Sequence, residues 1–133
     1  MNNILHMAAT IALPSNSETD DRNFWLGCIG IREDGTMVSA RNGAVTFSTT
    51  VENYQLVPSS HAEGRVLRKL GRGGIVFVAR VSRGDRTLAM ARPCGMCQVR
   101  LKAFHVKKVY YTINQHQYGV WTPSSDSDKI FKM

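Results

Sequence analysis

Two short sequence blocks constrain this chain more than any other feature. The first is His61-Ala62-Glu63, and the second is Pro93-Cys94-Gly95-Met96-Cys97. One imidazole and two thiolates are typical zinc ligands, and three protein ligands leave the fourth tetrahedral position open to water, as in catalytic zinc sites. The fold is therefore expected to bring two stretches that are distant in the sequence to a single zinc ion.

Each block is expected to begin a helix. Serines and a proline precede the predicted helix at 61–70, and Pro93 suits the first helical position because its missing N–H would be unpaired there. Cys94 and Cys97, three residues apart, then lie on one helix face. The positive end of the helix dipole favours the thiolate form that binds metal.

Other interpretations of both blocks are available. Ser60 and Glu63 match a capping box, in which Glu63 returns to a backbone N–H at the helix start. Cys94 and Cys97 match a redox pair or two structural cysteines. The presence of both blocks in one chain favours zinc. Glu63 is not needed as a fourth ligand, so it is free to move protons between the water and a leaving group.

The remaining pattern alternates between helical and extended segments. Apolar residues at 4, 5, 8, 11 and 12 predict an amphipathic first helix. Continuous apolar runs predict buried strands, with a hairpin turn at Asp34-Gly35. The predicted strands are 24–31, 36–40, 75–81 and 106–113, and Trp121, Ile130 and Phe131 are expected to pack a last element onto the sheet. Asp126 and Asp128 lie in a Ser/Asp tail that is expected to be exposed. At this length the chain is predicted to be a single domain over residues 1–133.

The two blocks together resemble the cytidine deaminase-like superfamily, whose signature is His-x-Glu followed by Pro-Cys-x-x-Cys. Three further stretches are similar to the family's substrate-binding strand end, to the helix after the second Cys and to the strand that follows it. These stretches are 39–43 (SARNG), 97–104 (CQVRLKAF) and 106–113 (VKKVYYTI). The resemblance implies an α/β fold, a three-layer α-β-α sandwich around a central mixed five-stranded sheet.

The resemblance also implies roles for individual residues. His61, Cys94 and Cys97 correspond to the zinc ligands, and Glu63 to the catalytic proton carrier. The implied substrate-binding residues are Asn42, the backbone N–H of Ala62, and the Arg92-Pro93 step, where the carbonyl before the proline contacts the base. Many relatives have Ser or Glu at the position of Arg92. Asn42 also fits an ordinary Asn-Gly turn.

The net charge of +7 is unevenly distributed and leaves two substrate classes open. Residues 64–108 contain twelve Lys or Arg and one acid, Asp85. Such a basic half suggests phosphate-bearing partners, although a solvated charged surface explains it equally well. The first hypothesis is a deaminase of cytidine, deoxycytidine or dCMP. The alternative is a deaminase of cytosine or adenosine in single-stranded DNA or RNA, including transfer RNA.

Composition sets the remaining expectations. Three cysteines are too few for a disulfide framework, which fits a reducing cytoplasm. No apolar run approaches the length of a membrane span, and the N-terminus lacks the positive region of a signal peptide. Because relatives complete their pockets with neighbouring subunits, the resemblance implies a homo-oligomer in nucleotide metabolism, without a membrane partner.

Overall fold

The computed structural model describes residues 2–12, 24–41, 62–82 and 84–133. Three helices and seven strands occur in these ranges. In chain order they are α1 (Asn2–Ala12), β1 (Phe24–Ile31), β2 (Met37–Arg41), α2 (Ala62–Leu70), β3 (Ile75–Ser82), β4 (Leu88–Ala89), α3 (Gly95–Ala103), β5 (Lys108–Thr112), β6 (Gln117–Thr122) and β7 (Ser127–Lys132).

The strands form one mixed sheet. Its order is β2-β1-β3-β5-β6-β7, and β4 pairs with the end of β3. The β3–β5 pair is parallel, with Ile75 opposite Lys108, and all the other pairs are antiparallel. The predicted turn between β1 and β2 is confirmed, since Gly35 has a φ of 90° and the Asp34 carboxylate accepts the Thr36 N–H at 2.9 Å.

Alternate residues of β3 contact different helices. Phe77 and Ala79 share a buried cluster with Leu5 and Ala8 of α1. Val76 and Val78 share another buried cluster with residues of α2 and α3, among them Val66, Leu67, Leu70 and Leu101. Because neighbouring residues of a strand point to opposite faces, α1 covers one face of the sheet, and α2 and α3 cover the other. This arrangement explains why β3 is apolar along nearly its whole length.

The predicted face of α1 is confirmed, since Leu5, Ala8 and Ala12 are fully buried. Its close approach to the sheet depends on Gly27 in β1. A Cβ atom at Gly27 would lie 2.0 Å from the Ala8 carbonyl oxygen, which is part of the helix backbone. The helix can therefore pack at this distance only against a glycine.

The prediction of a five-stranded sheet is wrong, because the described residues form seven strands. One extra strand is the two-residue β4, which is too short to leave an alternation pattern. The other arises because the last predicted element is a hairpin, β6–β7. Trp121 is fully buried as expected, but Ile130 and Phe131 are 61% and 43% exposed. They lie on β7, which is an edge of the sheet.

The mixed sheet with helices confirms the α/β class. No helix in the described ranges is long and apolar enough to cross a membrane.

Candidate active site

The segment from Met90 to Cys94 leads from β4 into α3 and carries the first of the two predicted thiol ligands. Cys94 is the N-cap of α3, with an extended backbone at φ −70° and ψ 167°, and it is exposed. Cys97 is the third residue of the helix and is only 2% exposed. An N-cap side chain and the third helical residue adjoin each other at a helix start. The structure thus brings both predicted thiol ligands to the positive end of α3.

The expected position of Pro93 is wrong by two residues. The helix begins at Gly95, so Pro93 precedes the N-cap and is not the first helical residue. Cys94 remains extended, and its carbonyl accepts the first helical hydrogen bond from the Gln98 N–H at 2.8 Å. The Gln98 side chain donates a second bond, also of 2.8 Å, to the Pro93 carbonyl. Gln98 therefore fixes the entry of the chain into the helix.

The other predicted ligand block lies at the start of α2. This helix begins at Ala62, so the backbone of Glu63 belongs to its first turn. His61 and Asn42 lie outside the described residues, as does the side chain of Glu63. For these three residues the predicted roles stay predictions.

The two helix starts lie at the same end of the sheet. The turns that follow the two helices are hydrogen-bonded to each other, since the Gly73 N–H donates to the Phe104 carbonyl at 2.8 Å and the Lys107 N–H to the Gly74 carbonyl at 2.9 Å. Each turn leads into one strand of the parallel β3–β5 pair. Both helices have nine residues, about 13 Å of rise. Because α2 and α3 pack on one face of the sheet, run in the same direction and have the same length, Ala62 and Cys94 lie at the same end of the sheet.

Arg92 lies two residues before Cys94, and its side chain has a specific partner. Its Nε and Nη2 atoms donate to the two carboxylate oxygens of Asp128 at 3.1 and 2.8 Å. The hydrogen bond to Asp128 raises the pKa of Arg92, and the same bond lowers the pKa of the Asp128 carboxyl. The guanidinium charge of Arg92 is thus matched by a carboxylate of the protein itself.

Sequence reasoning missed this role of Asp128. The exposed Ser/Asp stretch is an edge strand, β7, and Asp128 is opposite Trp121 in its register. Nothing in the local sequence distinguishes Asp128 from Asp126, whose carboxylate accepts the indole N–H of Trp121 at 2.9 Å. Only the pairing of β5, β6 and β7 brings Asp128 to Arg92, so a sequence pattern could not have identified it.

The described half of the site suits zinc. Two thiols at the start of one helix are soft donors of the kind that zinc binds. Within the described ranges no three His, Cys, Asp or Glu side chains come together. The predicted third ligand, His61, directly precedes α2 in the sequence.

A family model described as the cytidine and deoxycytidylate deaminase zinc-binding region matches residues 2–113. The chain belongs to this family. Zinc is accordingly the metal of its site, and the domain is a zinc-dependent deaminase. The match includes Asn42, both ligand blocks and Glu63, and ends before β6 and β7. No curated protein matches the sequence.

Proposed function

We propose that this chain hydrolyses the amino group of a cytosine nucleoside or nucleotide (cytidine, deoxycytidine or dCMP) to give the uracil form and ammonia. The observation that carries the proposal is the placement of Cys94 and Cys97 at the start of α3, level with the start of α2. A zinc ion held there lies beside the helix turn that contains Glu63.

His61, Cys94 and Cys97 would hold the zinc. When bound, the metal lowers the pKa of its water to about 7, so that a nucleophile is available at neutral pH. The chain's part begins with Glu63. This carboxylate would take one proton from the attacking water and give it to the ring nitrogen beside the reacting carbon, and it would then take the second proton from the added hydroxyl and give it to the departing amine. The water oxygen replaces nitrogen at C4 of the base, and ammonia leaves.

Backbone groups at both helix starts support the proposed contacts with the base. Ala62 is the first residue of α2, and the first N–H groups of a helix have no partner within the helix. Its N–H is therefore suited to donate to the base. Arg92 lies in the extended approach to Cys94, where its carbonyl is proposed to accept from the amino group. Asn42 is proposed to bind the sugar or base through an amide that both donates and accepts.

Exposed cations favour the second candidate, deamination of cytosine or adenosine in single-stranded DNA or RNA, including transfer RNA. Arg68 on α2, Arg72 after it, and Lys102 on α3 are exposed. Within the described ranges no ion pair joins these three cations to an acid, whereas Arg92 and Lys107 pair with Asp128 and Glu33. Cations of this kind attract a phosphate backbone without reading its sequence.

Ammonia release from a panel of compounds tests the proposal. The zinc-loaded protein is incubated with cytosine, cytidine, deoxycytidine, their monophosphates, guanine, adenosine and a single-stranded oligonucleotide. We expect turnover of a free cytosine compound. Turnover of the oligonucleotide alone, with binding that weakens steeply as salt rises, would replace the first candidate by the second. No ammonia from any compound would refute both.

The proposed enzyme is a single domain with the three-layer α-β-α arrangement of its family. We also propose that it forms a homo-oligomer in a reducing cytoplasm. The ligand helix supports the assembly, because Met96 and Val99 expose 49% and 68% of their surface to solvent. Sedimentation analysis should therefore give a mass above the 14.8 kDa of one chain.

A further inference from the structure

We propose that Asp128 is a positioning residue of the deaminase site. Asp128 holds Arg92 and, through Arg92, the segment that carries Cys94. This role rests on the proposed function, but the contacts of Asp128 with Arg92 and Tyr111 do not depend on which substrate is bound. Asp128 lies on β7, beyond the residues matched by the family model. The C-terminal hairpin would thus contribute to a site whose chemistry lies elsewhere in the chain.

The contact between Arg92 and Asp128 has a defined geometry. Two parallel hydrogen bonds, of 3.1 and 2.8 Å, join the guanidinium to the carboxylate, and this bidentate form fixes orientation as well as distance. The Arg92 guanidinium carbon also lies 5.8 Å from the centre of the buried Trp121 ring. The side chains of Arg92 and Asp128 are 35% and 30% exposed, so the pair adds little to stability. The main effect of the Arg92–Asp128 pair is therefore to orient the Arg92 side chain.

Asp128 is itself held by a buried residue of the sheet. The Tyr111 hydroxyl donates to the Oδ1 atom of Asp128 at 2.6 Å. Tyr111 is only 3% exposed, and it lies opposite Gly119 in the register of β5 and β6. A Cβ atom at Gly119 would lie 2.3 Å from the Tyr111 ring, so the ring crosses β6 only because residue 119 is a glycine. The network runs from β5 over β6 to β7 and ends at Arg92.

The neighbours of Arg92 are held by other elements. The Met90 carbonyl accepts from the Arg80 guanidinium at 3.2 Å, and the Ala91 N–H donates to the Thr112 carbonyl at 2.8 Å. The Pro93 carbonyl accepts from Gln98. At Arg92 the described anchor is the side-chain bond to Asp128. When this bond is lost, the Arg92 carbonyl and the Cys94 thiol should become less well placed.

The test compares Asp128→Asn with Asp126→Asn in the full, zinc-loaded chain. The control removes a carboxylate from the same hairpin, one that binds Trp121 instead of Arg92. Zinc release to a chelator is followed first, because it needs no substrate. We expect release from Asp128→Asn to be about tenfold faster than from wild type, in the range seen when groups that orient metal ligands are altered. The control should stay within about twofold of wild type.

Kinetics on the best cytosine compound give the second readout. For Asp128→Asn we expect KM to rise about tenfold while kcat changes less than about threefold, since the carbonyl that binds the base is misplaced and Glu63 is not. Arg92→Lys keeps the charge but loses the bidentate contact, and it should show the same changes in KM and kcat as Asp128→Asn. The double variant should show no further loss, because both substitutions remove the same contact.

Equal zinc release from the Asp128→Asn, Arg92→Lys and control variants would overturn the inference, whatever the activity. If wild type releases no ammonia from any compound, the proposed function fails, and the zinc measurement still decides the role of Asp128. A chain that takes up no zinc would overturn both.

Discussion

Replacing Gly119 with alanine should be destabilising only as long as Tyr111 is present. The added Cβ would lie 2.3, 2.5 and 2.6 Å from three atoms at the far end of the Tyr111 side chain, well inside van der Waals contact. The ring is 3% exposed and its hydroxyl is bonded to Asp128, so it cannot move aside without losing contacts. Overpacking of this kind costs about 1 to 3 kcal/mol.

The same substitution should become favourable when the ring is absent. Tyr111→Val keeps a residue suited to a strand but removes the three atoms that lie nearest to the new Cβ. Glycine inside a strand is less stable than alanine by about 0.5 to 1 kcal/mol. In the Tyr111→Val background, Gly119→Ala should therefore raise the free energy of unfolding by about that amount. The two effects differ by a coupling energy of about 1.5 to 4 kcal/mol.

Urea unfolding of the four proteins measures this coupling. Trp25 and Trp121 are both buried, so their fluorescence reports the loss of packing. All four proteins are measured at the same zinc concentration, because bound metal adds to apparent stability. If Gly119→Ala changes the free energy of unfolding equally with and without Tyr111, the packing described for these strands is wrong.

Two further predictions concern packing and ionisation. Gly27→Ala should lower the free energy of unfolding by about 3 kcal/mol, since the new Cβ meets the backbone oxygen of Ala8. The control Gly84→Ala, with open space around the new Cβ, should change the free energy of unfolding by less than about 0.5 kcal/mol. Similar urea midpoints for the two variants would contradict this prediction. Burial and the bond to Asp128 raise the pKa of Tyr111 to about 12, so its stabilising contribution is complete below pH 10 and is lost as the pH rises towards 12. The difference between the ultraviolet titrations of wild type and Tyr111→Phe should have its midpoint near 12, and a midpoint near 10 would exclude the buried, bonded hydroxyl.

The sequence predicts the elements whose signal is local. The strand at 24–31 is found with the predicted bounds, and the strand predicted at 75–81 extends by one residue. Both are buried on two faces, so their apolar runs are continuous and have clear ends. The Asp34-Gly35 turn is also local, because it depends on one positive φ. The placement of Cys94 and Cys97 at the start of one helix was predicted for the same reason, since their spacing is local.

The features that the sequence did not predict depend on distant pairing. β7 is an exposed edge strand, so its residues lack the alternation that would distinguish a strand from a tail. Asp128 meets Arg92 because two strand pairings, β5–β6 and β6–β7, fix its place, and no pattern along either segment contains that information. The start of α3 was predicted two residues too early, because proline only prefers the first helical position. The hydrogen bonds from Gln98 decide where the helix begins.

Ammonia release by zinc-loaded Glu63→Gln, measured beside its zinc content, tests the role of Glu63 as proton carrier. We expect this variant to keep the zinc content of wild type and to lose turnover by about 10² to 10⁴-fold, because the ligands remain and the proton carrier is gone. Full turnover by Glu63→Gln would contradict the proposed mechanism. Loss of zinc together with turnover would contradict the ligand assignment, since it would make Glu63 a ligand.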